Sequence, residues 1–429
     1  MTRRGGLWRS GDFLRLWSAQ TISMFGSQVS AIALPFVAVV SLHATAFEVA
    51  GLGTVEFLPF VLFTLPAGVW VDRLPRRRLM VAADWGRAIA LASVPAAYAL
   101  DALTLWQLFA VGFVTGTLTV FFDVSYQSYL PSVVQKTQLV EGNAKLELSR
   151  AGSQTGGPAI AGLLVSVLTA PYAVVADAAS FVGSALFLAS IRTRERPPPP
   201  AERRPMRSDI AVGLRYVFRH PLLRPLIWTI GIGNFFLCIL TSILIVYAVR
   251  TLGMTAAEVG VVFAIGNLGL LAGAPLAARL ARRFGIGPIL IMGSTLVGLA
   301  YVVFAASPRS IAPEMLAVAQ FVWSFGAVMY FVNGITLIQT ITPDNLLGRV
   351  NASRRFAVWG VVPLGNLCGG AIASTLGLHT AIWVGAIGAT ASVLPLLISP
   401  MRGVRVTDDA HALVAALNAS LPQPVGQPL

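Results

Sequence analysis

Gly68-Val69-Trp70-Val71-Asp72-Arg73-Leu74-Pro75-Arg76-Arg77-Arg78 is the stretch on which the reading of the fold turns. An apolar run that starts near residue 49 stops here at Asp72. A carboxylate at the edge of a low-dielectric layer is costly without a partner. Arg73, Arg76 and Arg77 offer partners, Pro75 stiffens the turn, and Gly68 lets another helix come close. The plainer alternative is a basic stop that holds one loop on one side of a bilayer, with Asp72 balancing the charge. On either reading a helix leaves a membrane at this point.

Working outward, the 429 residues are 56% hydrophobic and 11% charged, with a mean hydropathy of +0.75. Soluble domains carry about 25% charged residues. The composition excludes a soluble enzyme, a disordered chain and a disulfide scaffold; the two cysteines, Cys238 and Cys368, lie in apolar stretches. The net charge of +13 comes almost wholly from arginines that punctuate apolar runs, which is not the pattern of a nucleic-acid partner.

A helical span needs roughly 20 apolar residues. Twelve segments meet that need, near 13–41, 49–71, 79–100, 104–127, 144–169, 172–191, 223–249, 257–280, 287–306, 312–340, 352–376 and 380–399. The first is too long for a cleaved signal peptide. With the N-terminus inside, 27 of the 31 basic residues fall on the cytoplasmic side, only Arg250 and Arg309 lie opposite, and Arg87 and Arg150 lie within helices. The expected fold class is an all-α membrane protein of twelve transmembrane helices in two six-helix pseudo-symmetric halves. Residues 1–191 form one half and 223–400 the other; 192–222, with four consecutive prolines, is a cytoplasmic linker, and 401–429 a cytoplasmic tail. Within the tail, 407–421 can form a short amphipathic helix capped by Thr407.

The halves repeat each other. Thr45-Ala46-Phe47-Glu48-Val49 returns as Thr255-Ala256-Ala257-Glu258-Val259, and Arg73-Leu74-Pro75-Arg76-Arg77 as Arg279-Leu280-Ala281-Arg282-Arg283. Asn143-Ala144 returns as Asn351-Ala352, and Gly157 and Gly162 as Gly365 and Gly370. Collinear matches at nearly constant offset indicate parallel repeats.

On these residues the chain resembles the major facilitator superfamily. Gly68 to Arg78 is similar to its loop pattern G-x-x-x-D-R-x-G-R-R/K, with Pro75 in place of the second glycine. The resemblance implies that Gly68, Asp72, Arg73, Arg76 and Arg77 form a gate that latches the cytoplasmic side. The second copy has Ala278 where Asp72 stands, so the latch is asymmetric. In the fifth span, Gly152, Gly156, Gly157, Pro158 and Gly162 resemble the antiporter motif G-x-x-x-G-P-x-x-G-G, with Ser153 and Ala161 replacing two glycines. Generic small-residue packing is the alternative. The segments E-F-L-P at 56–59, A-D-W-G-R-A at 83–88 and G-R-V-N-A at 348–352 look like a subgroup of macrolide-efflux-like and siderophore-exporter-like permeases. The resemblance implies a drug:proton antiporter that exports small amphipathic compounds across a bacterial cytoplasmic membrane. It would use a proton gradient and no cofactor, and act as a monomer.

Five carboxylates qualify by position as proton carriers: Glu56, Asp84, Asp123, Glu147 and Asp177. Asp84 and Glu147 have Arg87 and Arg150 at i+3, which favours structural pairing. Asp123 can reach the Asp72 cluster, and Asp177 can be an interfacial cap. Glu56 lies deeper with no basic residue near it in sequence, and is the first choice. Gln20, Gln28, Asn234, Asn267, Gln320 and Asn333 are the polar candidates for a substrate cavity near the midplane; interhelical hydrogen bonding is the alternative for each. The four histidines show no metal spacing, and no phosphate-binding loop is present, so an enzyme and a directly ATP-driven pump are not expected. The alternatives carried forward are a siderophore or metabolite exporter, a nutrient importer on the same scaffold, and a lipid-flipping protein.

Overall fold

The computed structural model describes residues 7–71, 74–135, 138–193, 215–342, 350, 354 and 358–405. Helix α1 is Gly11–Phe36, α2 Ala46–Val71, α3 Arg76–Ala99, α4 Leu105–Val133, α5 Leu139–Leu168 and α6 Ala170–Ala189. The second set is α7 Leu223–Val246, α8 Ala256–Phe284, α9 Ile286–Ala305, α10 Ala312–Ile341, α11 Val362–Leu376 and α12 Leu378–Ala391. No strand occurs among the described residues. A helix is described within each of the twelve expected segments. Nine described helices are long and apolar enough to cross a membrane. Of the other three, α3 and α5 are long but carry more polar residues, and α11 is shorter over its described part. The predicted gate residues Asp72 and Arg73 lie outside the described residues, as do most of the linker and the tail helix from Thr407.

The duplicated pentapeptide is a repeated corner. Thr45 Oγ1 accepts from the Glu48 amide at 3.3 Å while Glu48 accepts from the Thr45 amide at 2.7 Å. Thr255 and Glu258 make the same two bonds at the same lengths. Each reciprocal pair satisfies two donors that a helix start leaves open. Ahead of each, a π-helical turn ends the preceding helix, at Val37–Ser41 and at Tyr247–Thr251. The connecting residue takes a left-handed φ in both, 52° at His43 and 73° at Gly253.

Packing within the halves follows one plan. In the first, α1 packs on α5 and α6, α3 on α4 and α6, and α2 on α4. In the second, α7 packs on α11 and α12, α9 on α10 and α12, and α8 on α10. The halves meet along α5–α8 and α2–α11, which are again equivalent. Toward the face that carries the two corners, one apolar core runs through both halves, from Val29, Val49 and Val165 to Leu240, Val259 and Ala386. Toward the arginine-rich face the core is divided. Phe13, Met80, Tyr129 and Leu188 form a cluster in the first half; Leu223, Leu290, Leu337 and Met401 form another in the second. Among the described residues, the buried core is joined at one end and divided at the other.

Candidate functional site

Two features stand out inside the helical layer: a charged cluster in the first half and the two seams between halves. Arg87 on α3 is 4% exposed, and its guanidinium pairs with Asp84 one turn earlier. It lies over the rings of Phe122 on α4 and Phe181 on α6, 4.4 and 4.1 Å from their centroids. Cation–π contacts of this kind hold a guanidinium where water is scarce. Thr119 Oγ1 accepts from Arg87 at 3.3 Å. The charge therefore faces both flanking helices. Asp123 on α4 and Asp177 on α6 lie within its field.

Asp177 is no interfacial cap. It is 1% exposed in the second turn of α6, and it accepts from Ser30 on α1 at 2.5 Å and from Ser180 at 3.0 Å. Gly26 on α1 permits this, since a β-carbon there would meet Asp177 and Ser180. Glu56 on α2 is half-buried, packs against Gly112 of α4, and lies within electrostatic reach of Asp177. Four of the five expected carboxyls thus share one region, and Arg87 links three of them. Glu147 does not belong to it. Its side chain is exposed on the early turns of α5, with Arg150 at 3.7 Å. The hub, Arg87, was read from sequence only as the partner of Asp84; nothing in the pattern signalled Phe122 and Phe181.

Of the gate residues, Arg76 donates to the Ser128 carbonyl at 3.0 Å and Arg77 to that of Ile191. Both tie the start of α3 to its own half.

Gly162 of α5 faces the other half. A β-carbon at Gly162 would collide with the Ala256 carbonyl on α8, and one at Gly260 with the Pro158 carbonyl. Two backbones in contact leave no path for water. Gly157 makes room for Gln28 of α1 and Gly156 for Phe25, whereas Gly152 has nothing near it. The equivalent seam repeats the device: Gly370 of α11 sits on Phe47 and Ala50 of α2. Deeper, the seams differ. Asn267 of α8 donates to the Gln154 carbonyl of α5 and accepts from Ser324 of α10 at 3.4 Å. On the other side Trp359 stacks on Phe57 and Phe60, with centroids 5.8 and 6.1 Å apart.

The polar cavity candidates lie in separate local settings. Asn234 donates to the Val358 carbonyl, and Asn333 to Met329 one turn back at 2.8 Å. Gln320 packs over Gly266, Gln28 over Gly157, and Gln20 is buried. Among the described residues, no cluster of three metal-ligating side chains exists.

This architecture defines a polytopic transporter of two repeated halves. The profile of the Major Facilitator Superfamily matches residues 16–362 and 232–413, and the chain belongs to that family. It is not an enzyme family. Among relatives, the chain is 26% identical over 392 residues to the multidrug efflux pump Tap of Mycolicibacterium fortuitum, covering 88% of this chain and 91% of that protein. It is 27% identical to Tap of Mycobacterium bovis (strain BCG / Pasteur 1173P2), covering 97% and 98%. The enterobactin exporter EntS of Salmonella typhi is 24% identical, covering 85% and 84%. Solved structures share the fold: a point mutant of the nucleoside transporter NupG at TM-score 0.73 and 11% identity, covering 90% of this chain and 99% of that one. A bacterial homologue of the iron transporter ferroportin in an inward-facing state gives 0.72 at 16% identity, covering 92% and 99%.

Proposed function

We propose that this transporter exports amphipathic compounds from a bacterial cytoplasm in exchange for protons, by alternating access. The observation that carries the coupling is the group of Glu56, Asp84, Asp123 and Asp177 inside one half, around the buried Arg87. Carboxyls held at that depth are the groups able to load and release a proton across the layer. Glu56 is the leading carrier because, among the described residues, no donor or cation meets its carboxyl. The efflux pumps and the siderophore exporter among its relatives support the direction of transport.

The charge bias assigns the arginine-rich face, and both termini, to the cytoplasm. The divided core then corresponds to a chain open inward and sealed outward by Gly162–Gly260 and Gly370–Ala50. It is expected to act as a monomer.

The test is transport in proteoliposomes loaded with a pH-sensitive dye, across a panel of macrolides, tetracyclines and catecholates. A compound that is a substrate releases protons as it moves, and Glu56→Gln lowers that coupled movement at least tenfold while the protein stays folded. In cells, the same substitution or an uncoupler raises accumulation of the compound. Movement indifferent to both, or accumulation that falls, excludes proton-coupled export. Gradient-independent movement of labelled lipid favours lipid flipping instead.

A further inference from the structure

The charge bias leaves two basic residues, Arg250 and Arg309, on the face opposite the arginine-rich one, and the structure brings both to one corner. Arg250 lies in the π-turn that ends α7. Its guanidinium crosses to the first half, where Nη2 donates to the Ala44 carbonyl at 2.7 Å. Arg309 packs over Gly253 of the same corner; a β-carbon there would meet Nη2 of Arg309 at 2.7 Å. Ala44 is 3% exposed and stands just ahead of the Thr45 cap. Among the described residues no backbone amide reaches its carbonyl, so Arg250 is the donor that satisfies it. Nor does any carboxylate among the described residues lie within ion-pairing distance of Arg250. The bond closes the outer end of the α2–α11 seam, since Gly370 of α11 meets Phe47 and Ala50 shortly after Ala44 in the chain. The repeat supplies no second copy. Val40 precedes Thr45 by the same interval as Arg250 precedes Thr255, and its half-exposed side chain has no donor to offer.

We propose that Arg250 is a one-sided latch on the outer gate: its bond to Ala44 holds the halves together at that face and breaks each time they part. The glycine contacts let the two backbones approach, whereas the guanidinium–carbonyl bond has one partner and one direction. A buried carbonyl left without a donor is costly, so the bond holds while the seam is dry. Arg250 itself is exposed, and water can take its place once the seam loosens. The latch therefore weights the equilibrium by its net worth and does not lock it. A guanidinium keeps its charge across the physiological pH range, so the latch is indifferent to the proton gradient. Response to protons stays with the carboxyls around Arg87. This inference rests on reading the chain as an alternating-access transporter.

Spin labels test it in the full-length protein, with Cys238 and Cys368 replaced by serine, in phosphatidylcholine nanodiscs. Ala102→Cys and Leu376→Cys place the labels at exposed outer positions of opposite halves, and double electron–electron resonance reads the distance between them. Arg250→Met keeps the length of the arm and removes its donor. It is expected to raise the ratio of long to short distances by about tenfold, the lower end of what a hydrogen bond to a charged group contributes. Arg250→Lys, which can still donate, is expected to restore most of the short population. A control pair within the first half, Ala102→Cys and Val167→Cys, is expected to stay unchanged. A distribution that Arg250→Met leaves unaltered overturns the proposal, as does an Arg250→Lys variant that behaves like Arg250→Met. A control pair that shifts equally overturns it too, because Arg250 then only stiffens the fold. A shift that appears only when phosphatidylglycerol is added assigns Arg250 to a lipid headgroup and removes the latch. These distances need neither cargo nor gradient. Export or coupling can fail in the liposome assay while the latch stands, and the latch can fail while they stand.

Discussion

Thr169, between α5 and α6, has φ 70° and ψ 158°, a region that residues other than glycine enter at a cost of about 1–3 kcal/mol. Its equivalent in the second half is Gly377, at φ 92° and ψ 156°, where no β-carbon resists. Thr169→Gly relieves that strain but loosens the unfolded chain by about 0.4–1 kcal/mol. The net expectation is a gain of about 1 kcal/mol, read as a higher melting temperature in detergent; an unchanged or lower value counts against strain. Single residues were unevenly legible in the sequence. Glu56, Asp84, Asp123 and Asp177 announce themselves because charge inside an apolar run has few structural uses. Their grouping does not, since it depends on how α2, α3, α4 and α6 converge.

At the scale of the element, α5 shows what small residues accomplish. Gly162→Val should wedge α5 from α8, because the added carbons meet the Ala256 carbonyl. The expected outcome is an outer face that admits thiol reagents at cysteines placed near residue 256, with transport reduced at least tenfold and the protein still folded. The start of α7 offers a pH-dependent contact. His220 is buried, and its Nδ1 accepts from the amides of Leu222 and Leu223 at 3.2 Å each. Burial pushes its pKa down to about 4 from an ordinary 6.5. Between those values the undocked state binds the proton and the docked state does not, so stability is complete above about pH 6.5 and is lost as pH falls toward 4. Limited proteolysis near residues 215–222 should therefore speed up from pH 7 to pH 5. His220→Asn, which keeps an acceptor and does not titrate, should flatten that profile. Helix positions were readable because span length and apolarity mark them; α3 and α5 were found on the same criterion although they carry more polar residues. The local setting of the polar candidates was not legible, since an asparagine facing a neighbouring carbonyl and one facing an open chamber look alike in sequence.

For the whole molecule, the arrangement of cores predicts which end must open. Gly53 on α2 faces the Asn366 amide on α11. In a background with Cys238 and Cys368 replaced by serine, the pair Gly53→Cys and Asn366→Cys should crosslink readily under mild oxidation. Transport should then stop and return on reduction; transport that continues in the crosslinked protein would mean the outer seam need not part. The two-half plan was legible from four short matches, but its shared seams were not, because they depend on backbone proximity. The corners carry a separate implication. Few side chains correspond between the halves, yet each has a π-turn, a left-handed residue at the same place and the same threonine–glutamate pair. A duplicated chain could let its helix faces diverge, provided the bends that set helix direction stayed fixed. The common ancestry of the two halves is written in their turns.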